Sequence, residues 1–312
     1  MEPWKVISEA EVKAIHDASL RVLSEVGLVM DHPDICARLR ESGAVVDSER
    51  VYLPPEMVES AIETSGKKVT TRGRNGMSIT LGDGSLQWHN LGGARDILDP
   101  LSGKIRRATV GDVGDSTRLL DALENATTIT PYCTPTEVPP EIMSLAMYRH
   151  ALPNTIKPLQ GPGIQTAREA DFAIQMAEVL GPAPEVLTLS VSPVSPLTFP
   201  AALVSAMVRI AEKGVPFGPL PCPTAGTTAP MSLAGALTQQ NAEVLACLVI
   251  AQAVNPGLPI IYCGRLAMME PTTGGSVWGG VELGLASSAT VQIAHHYGLP
   301  VNVYGFSTNA HT

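Results

Sequence analysis

The sequence predicts an α/β protein: a (β/α)8 TIM barrel, incomplete with about six strands present, preceded by an N-terminal α+β region. Three observations carry this. After residue 125 short apolar runs alternate regularly with helical patterns, which implies βαβ units and a parallel sheet. The runs are apolar throughout, as strands buried on both faces are. No Gly-rich phosphate turn follows the first run, as a doubly wound sheet would usually supply, so a barrel is the better reading.

Residues 1–125 form the N-terminal helical and small-sheet region. Ser8 to Val26 reads as an amphipathic helix, with Val12, Ile15, Leu20, Leu23 and Val26 on roughly one side and Gly27 ending it. Asp34 to Ser42 reads as a second helix and Pro54 to Thr64 as a third, with prolines at its start. The short runs Lys68–Arg72, Met77–Leu81 and Ser85–His89 are divided by Arg74-Asn75-Gly76 and Gly82-Asp83-Gly84. Both dividers are turn chemistry, so a small antiparallel patch is expected. Thr109 with Asp112 resembles a capping box opening a helix to Glu124.

Residues 126–312 carry the barrel units. The expected strands are Thr128–Cys133, Ile156–Gly161, Val186–Val191, Val215–Leu220, Pro259–Cys263 and Val301–Phe306. Helices are expected at Glu141–Leu152, Ala167–Leu180, Pro200–Lys213, Ser232–Val254 and Gly280–Tyr297. Thr166 with Glu169 forms a capping box, Gly181-Pro182 stops that helix, and Asn255-Pro256-Gly257 stops a longer one. A closed barrel needs eight strands, so the expectation is a fold whose C-terminal part is missing.

The composition narrows the function classes. With 21 basic and 30 acidic residues the net charge is −9, which argues against a nucleic-acid partner, since phosphate contact needs a basic face. It suits a cationic substrate, as many ordinary acidic proteins also would. The five cysteines are odd in number, widely spaced and without a CxxC, so they read as free thiols of a cytoplasmic protein. The N-terminus lacks a signal pattern. The apolar stretch Val244 to Tyr262 is broken by Asn255-Pro256-Gly257, so no membrane span is expected.

Several stretches resemble the trimethylamine:corrinoid methyltransferase family. They include Ala225-Gly226-Thr227-Thr228-Ala229-Pro230 through Ala236, Gln239-Gln240-Asn241-Ala242-Glu243, Pro256-Gly257-Leu258-Pro259-Ile260-Ile261-Tyr262, and Thr273-Gly274-Gly275 with Val281-Glu282. In the N-terminal half, Ser42-Gly43-Ala44-Val45-Val46-Asp47 and Asp99-Pro100-Leu101-Ser102-Gly103 fit too. The resemblance covers essentially the whole chain. It implies a barrel that moves a methyl group from trimethylamine to the cobalt of a separate, cognate corrinoid protein, with no cofactor bound directly, and it suggests a homo-oligomer. One branch of the family carries pyrrolysine, whose imine carbon accepts the amine nitrogen. The other lacks it and includes glycine betaine methyltransferases, which gives the alternative function. The chain ends at Thr312 shortly after its sixth strand. The expectation is that Thr312 precedes an amber codon read as stop, placing pyrrolysine just beyond it. If the short chain is the real product, an inactive fragment is the remaining alternative.

Quaternary ammonium species favour aromatic walls and nearby carboxylates, and barrel sites lie at the C-terminal strand ends. Candidate substrate-binding residues are therefore Tyr132, Tyr262 and Tyr304 at strand ends, Trp278 in the Gly-rich loop, and Gln160 at the end of the second strand. Glu282, kept anionic at a helix N-terminus, and His311, beside the expected pyrrolysine, are the candidate catalytic residues. The bland alternatives are barrel packing for Tyr262 and Tyr304, a turn role for Gln160 and a terminal loop for His311. Glu243 and Asn241, deep in a long helix, read as packing contacts. Arg265, just past the fifth strand, suits a betaine carboxylate or is a plain loop arginine. His89 and Cys263 show no metal spacing, and no metal ligand is expected. An S-adenosylmethionine enzyme would need a Rossmann glycine pattern. A Schiff-base aldolase would need a strand-end lysine, and Lys157 sits at a strand start.

Overall fold

A computed structural model describes residues 4–305. Its helices are α1 (Glu9–Arg21), α2 (Pro33–Glu41), α3 (Pro55–Thr64), α4 (Val110–Ala122), α5 (Met143–Ala151), α6 (Ala167–Glu178), α7 (Ala183–Val186), α8 (Ala201–Glu212), α9 (Leu233–Val254) and α10 (Val281–His296). Reciprocal capping boxes open three of them, Ser8 with Glu11, Thr109 with Asp112, and Thr166 with Glu169. Each satisfies two otherwise orphaned backbone donors. The first helix is shorter than the Ser8–Val26 expectation: α1 stops at Arg21 and a π-helical turn, Val22–Val26, follows. Gly27 then takes φ +71°, and a Cβ there would lie 2.6 Å from the Val51 carbonyl oxygen, so only glycine closes this turn.

The hydrogen-bonded ladders make a mixed α/β fold of small separate sheets. One four-stranded sheet orders Thr198–Phe199, Leu28–Met30, Arg50–Tyr52 and Val45–Asp47, its first pairing parallel and the other two antiparallel. A parallel sheet places Leu189–Val191 between Gly163–Ile164 and Phe217–Pro219. Tyr262–Gly264 pairs in parallel with Val301–Val303. Isolated parallel bridges, Ile129 with Leu159 and Phe217 with Ile260, lie between these pieces. The expected barrel sheet is thus recorded as short parallel pieces, not as one continuous ladder. Proline is the physical reason: Pro131, Pro158, Pro162, Pro216, Pro219, Pro259 and Pro300 sit in or beside the segments, and each removes a ladder donor.

Other strand expectations shift for local reasons. Thr128–Cys133 forms only isolated bridges, at Ile129 and Cys133. Val186 ends α7, and the strand starts at Leu189. Val69–Arg72 and Ser78–Leu81 form the expected antiparallel pair. Ser85–His89 forms no strand; the next hairpin is instead Asp96–Leu98 with Ile105–Arg107.

The main apolar cluster runs from Val12 to Leu299 and centres on α9. This 22-residue helix is long and apolar enough to cross a membrane, yet most of it is buried against protein. Helices α1, α2, α3, α8 and α10 all pack on it. Its buried Glu243 accepts from Ser195 Oγ (2.8 Å), the Leu197 N–H (2.9 Å) and Gln239 Nε2 (3.1 Å). Leu197 sits at φ +48°, a left-handed conformation costly for leucine, and the Glu243 contact holds it there.

The 96–107 hairpin is fixed at its base by Arg106. Its Nε donates to Asp99 (2.9 Å), while Nη1 and Nη2 fork onto Asp112 (2.7 and 2.8 Å). The Ser102 N–H and then Arg106 hold the Asp99 carboxyl down at about 2. Depressed carboxylates contribute stability above their unfolded pKa, near 3.8 here, and lose it as pH falls through the folded value. In a carbon-13 titration the Asp99 carboxyl is expected to titrate near 2. In Arg106→Gln it should move up yet stay below 3.8, because the Ser102 N–H still donates.

Candidate functional site

A cavity of about 290 Å³ opens where the parallel segments end. Thr130, Gln160, Ser190, Asn302, Arg265 and His89 give it a polar lining, and Ile261, Cys263, Leu220 and Tyr304 supply apolar and aromatic wall. Strand alternation decides which side chains enter. Successive residues of a strand point to opposite faces, so Ile261, Cys263 and Arg265 line the cavity while Tyr262 turns away from it. Asn302 and Tyr304 enter from the neighbouring segment by the same rule.

The polar groups form one connected set. Arg265 is buried at 6% exposure. Its Nη1 donates to the carbonyls of Gly264 (3.0 Å) and Asn302 (3.1 Å), and its Nη2 to Asn302 Oδ1 (3.0 Å). Its Cζ lies 4.1 Å from the Tyr304 ring centroid, a cation–π geometry. The Arg265 N–H donates to Gln240 Oε1 of α9 (3.1 Å), and Gln240 Nε2 donates to the buried Thr290 of α10 (3.0 Å), so these two helices set the arginine's backbone. His89 places Nε2 3.2 Å from Asn302 Oδ1 and Nδ1 2.9 Å from the Asn90 carbonyl. Thr130 Oγ1 donates to Gln160 Oε1 at 3.1 Å.

The electrostatics follow from burial and from one cation. Burial holds the His89 imidazole below its usual value, the Asn302 contact opposes this, and the Arg265 charge adds to it. Burial pushes the Cys263 thiol up to about 11 and raises the Tyr304 phenol, with Arg265 opposing in both cases. None of the described residues lining the cavity is acidic. Among the described residues, no group of three or more His, Cys, Asp or Glu side chains is placed to hold a metal ion.

The candidates read from the sequence separate into four groups. Gln160 and Tyr304 line the cavity. Trp278 does not, but its ring stands edge-on to Tyr304 with centroids 5.5 Å apart, so it backs that wall. Tyr132 is 40% exposed and outside the lining, and Glu282 lies on the exposed first turn of α10. Tyr262 is fully buried among helices, donating to Asn241 Oδ1 at 2.7 Å. Asn241 in turn donates to Ser19 Oγ and Tyr297 Oη, both at 2.9 Å. His311 and the position after Thr312 lie outside the described residues. The sequence reading set His89 and Cys263 apart only as a poor metal pair, whereas both line this cavity. It did not single out Thr130 or Asn302. The available signal was a polar residue inside an apolar strand, as Asn302 is between Val301 and Val303, since such a group needs a buried partner.

A family model described as trimethylamine methyltransferase (MTTB) matches residues 1–312. The chain is 29% identical over 305 residues to a glycine betaine methyltransferase of Desulfitobacterium hafniense, covering 95% of this chain and 63% of that protein. It is 27% identical over 307 residues to a trimethylamine methyltransferase MttB of the same species, covering 96% of this chain and 62% of the relative. The chain thus spans less than two thirds of the length of these two relatives. The crystal structure of the Methanosarcina barkeri monomethylamine methyltransferase MtmB superposes with a TM-score of 0.62 at 11% identity. That match covers 96% of this chain and 62% of the solved one, and shows a shared fold.

Two measurements check this geometry. A histidine held neutral by burial is less protonated than in the unfolded chain, so stability rises with pH up to the ordinary value of 6.5. In an NMR titration His89 is expected to protonate below 6.5, and Arg265→Gln should raise that midpoint by removing the neighbouring charge. Tyr262→Phe leaves the Asn241 oxygen without its donor. It should cost about 1–3 kcal/mol in urea unfolding and leave ligand affinity in the cavity unchanged.

Proposed function

Since this chain belongs to the trimethylamine methyltransferase family, we propose that it takes a methyl group from a methylated amine and passes it to the cobalt of a cognate corrinoid protein, with trimethylamine the leading donor. The observation that carries this reading is the cavity at the ends of the parallel segments, walled by Tyr304 with Trp278 behind it. Parallel pairings and bridges link the segments in chain order, near residues 129, 159–164, 189–191, 217–219, 260–264 and 301–303. That order supports reading them as the first six strands of a (β/α)8 barrel, with residues 1–125 as a separate region beside it. Leu220, Arg265 and Tyr304 each follow the C-terminal end of a segment, where barrel enzymes keep their chemistry.

Methyl transfer breaks a C–N bond and leaves the electron pair on nitrogen. The nitrogen must therefore carry positive charge before displacement, and an aromatic face stabilises such a centre without neutralising it. Tyr304 supplies that face, and Trp278 fixes its orientation edge-on. Gln160 and Thr130 offer neutral polar contacts that orient the amine's other substituents. Pyrrolysine belongs to the trimethylamine reading, as do a cytoplasmic setting and a homo-oligomeric assembly. Glycine betaine is the second reading, favoured by the buried Arg265 in the same cavity.

The test is reconstitution of the full chain with a corrinoid protein reduced to cobalt(I), following methyl-cobalt formation by absorbance. Transfer from trimethylamine or glycine betaine is expected. No transfer from any methylated amine would sink the reading. In the active system Trp278→Ala should raise KM roughly fivefold, the effect of about 1 kcal/mol of cation–π and aromatic contact.

A further inference from the structure

We propose that the 96–107 hairpin is the docking arm for the methyl-accepting corrinoid protein, and that it fits a partner face made of an apolar socket rimmed by carboxylates. The inference rests on the reading of the cavity as a methyl-transfer site, because that reading requires a partner at the cavity mouth.

The hairpin rises from the cavity rim. Residues 89–93 line the cavity, and the first strand of the hairpin, Asp96–Leu98, begins three residues after Gly93. Between them, the Gly93 and Ala94 N–H groups both donate to the Tyr132 carbonyl (3.0 and 3.1 Å), and the Thr134 N–H donates to the Ala94 carbonyl (2.8 Å). Those partners follow the parallel bridge at Ile129, on the side where the segments end and the cavity opens. The chain that walls the cavity therefore continues directly into the hairpin.

The two faces of the hairpin differ. Ile97 pairs with Arg106, Leu98 with Ile105, and Asp96 with Arg107, and directly opposed residues share a face. On the inner face Ile97 packs against the main apolar cluster, and Arg106 forks onto Asp112 of α4. The outer face carries Leu98 and Ile105, 65% and 68% exposed, beside the Asp96–Arg107 ion pair. Leu101, in the turn, is 97% exposed. One exposed leucine is ordinary. Three apolar side chains held in water on a single short hairpin are not, because a two-stranded hairpin is marginal alone and here the body of the protein keeps its shape. An arm ordered in advance loses little freedom when a partner covers it.

Charge selects the occupant. The whole chain carries −9, so an acidic protein is repelled by most of its surface. Residues 95–107 reverse that sign, with Arg95, Lys104, Arg106 and Arg107 against Asp96 and Asp99. Arg95 and Lys104 are exposed and enter no ion pair among the described residues. A partner with carboxylates around an apolar socket is drawn to this arm and turned away from the rest of the surface, which sets its orientation as well as its place. Docked there, it stands beside the mouth through which the methyl group must leave.

The experiment is a binding titration of the full chain with the cognate corrinoid protein. It compares the unaltered chain, the double variant Leu101→Ser/Ile105→Ser, and Lys104→Glu. All three positions are exposed, and thermal unfolding checks that each variant folds. The double variant is expected to weaken binding about tenfold, as loss of apolar anchors at an interface does. Lys104→Glu should weaken binding at low salt and flatten the salt dependence of the unaltered chain. In turnover both variants should raise KM for the corrinoid protein and leave the methyl-donor KM unchanged. Unchanged affinity in both variants would overturn the proposal, as would failure of the corrinoid protein to bind the unaltered chain. Variants that bind the corrinoid protein as before, but dissociate a homo-oligomer or release phosphatidylglycerol vesicles, would also overturn it and give the arm to a second copy or a membrane. Arm-dependent binding without methyl transfer from any donor would sink the enzymatic reading and leave the docking arm standing.

Discussion

Burying α9 on nearly every side obliges each of its polar side chains to find a partner inside the protein, and those partners place the rest of the structure. Asn241 joins Ser19 of α1, Tyr297 at the end of α10 and Tyr262 of the strand between them. Glu243 pins the loop at Ser195 and Leu197. Gln252 ties the turn after the helix by accepting from the Gly257 N–H and donating to the Leu258 carbonyl. An unmade bond at any of these positions would cost the full desolvation penalty of the orphaned group. The helix is therefore fixed in rotation as well as in place, although its apolar surface alone would leave it free to turn.

That constraint reaches the cavity through Gln240. Its amide grips Thr290 on one side and the Arg265 backbone on the other, so the buried cation is positioned by the core rather than by a surface loop. The arginine's field then bears on His89, Cys263 and Tyr304. Packing comes first in this chain of causes, and the electrostatics of the site follow from it. The exposed hairpin at 96–107 is held by a different device, a surface arginine forked between two aspartates, and needs no core of its own.

Local chemistry was legible wherever a residue acts on its own neighbours. Two of the three capping boxes, at Thr109 and Thr166, the Gly27 stop and the Asn255-Pro256-Gly257 stop after α9 were read at their positions because each works through backbone groups a few residues away. The order of parallel segments and helices was legible for the same reason, since burial on both faces leaves an uninterrupted apolar run. The hairpin at 96–107 was not, because its strands are polar and exposed and carry no buried pattern. The continuous barrel ladder was over-read, because apolar runs say nothing of the donors that prolines remove.

The site divides along the same line. By itself the sequence determined the family, the alternating architecture, the approximate places of the helices, and Gln160 and Tyr304 as candidates that the cavity lining contains. Tertiary structure alone decided that Tyr262 faces the helices while Arg265 faces the cavity. It also decided that His89 and Asn302, more than two hundred residues apart in sequence, share one hydrogen-bond network. The reason is physical. Propensity and capping are properties of neighbours along the chain, whereas the face a strand residue presents depends on the register and on which side the helices cover.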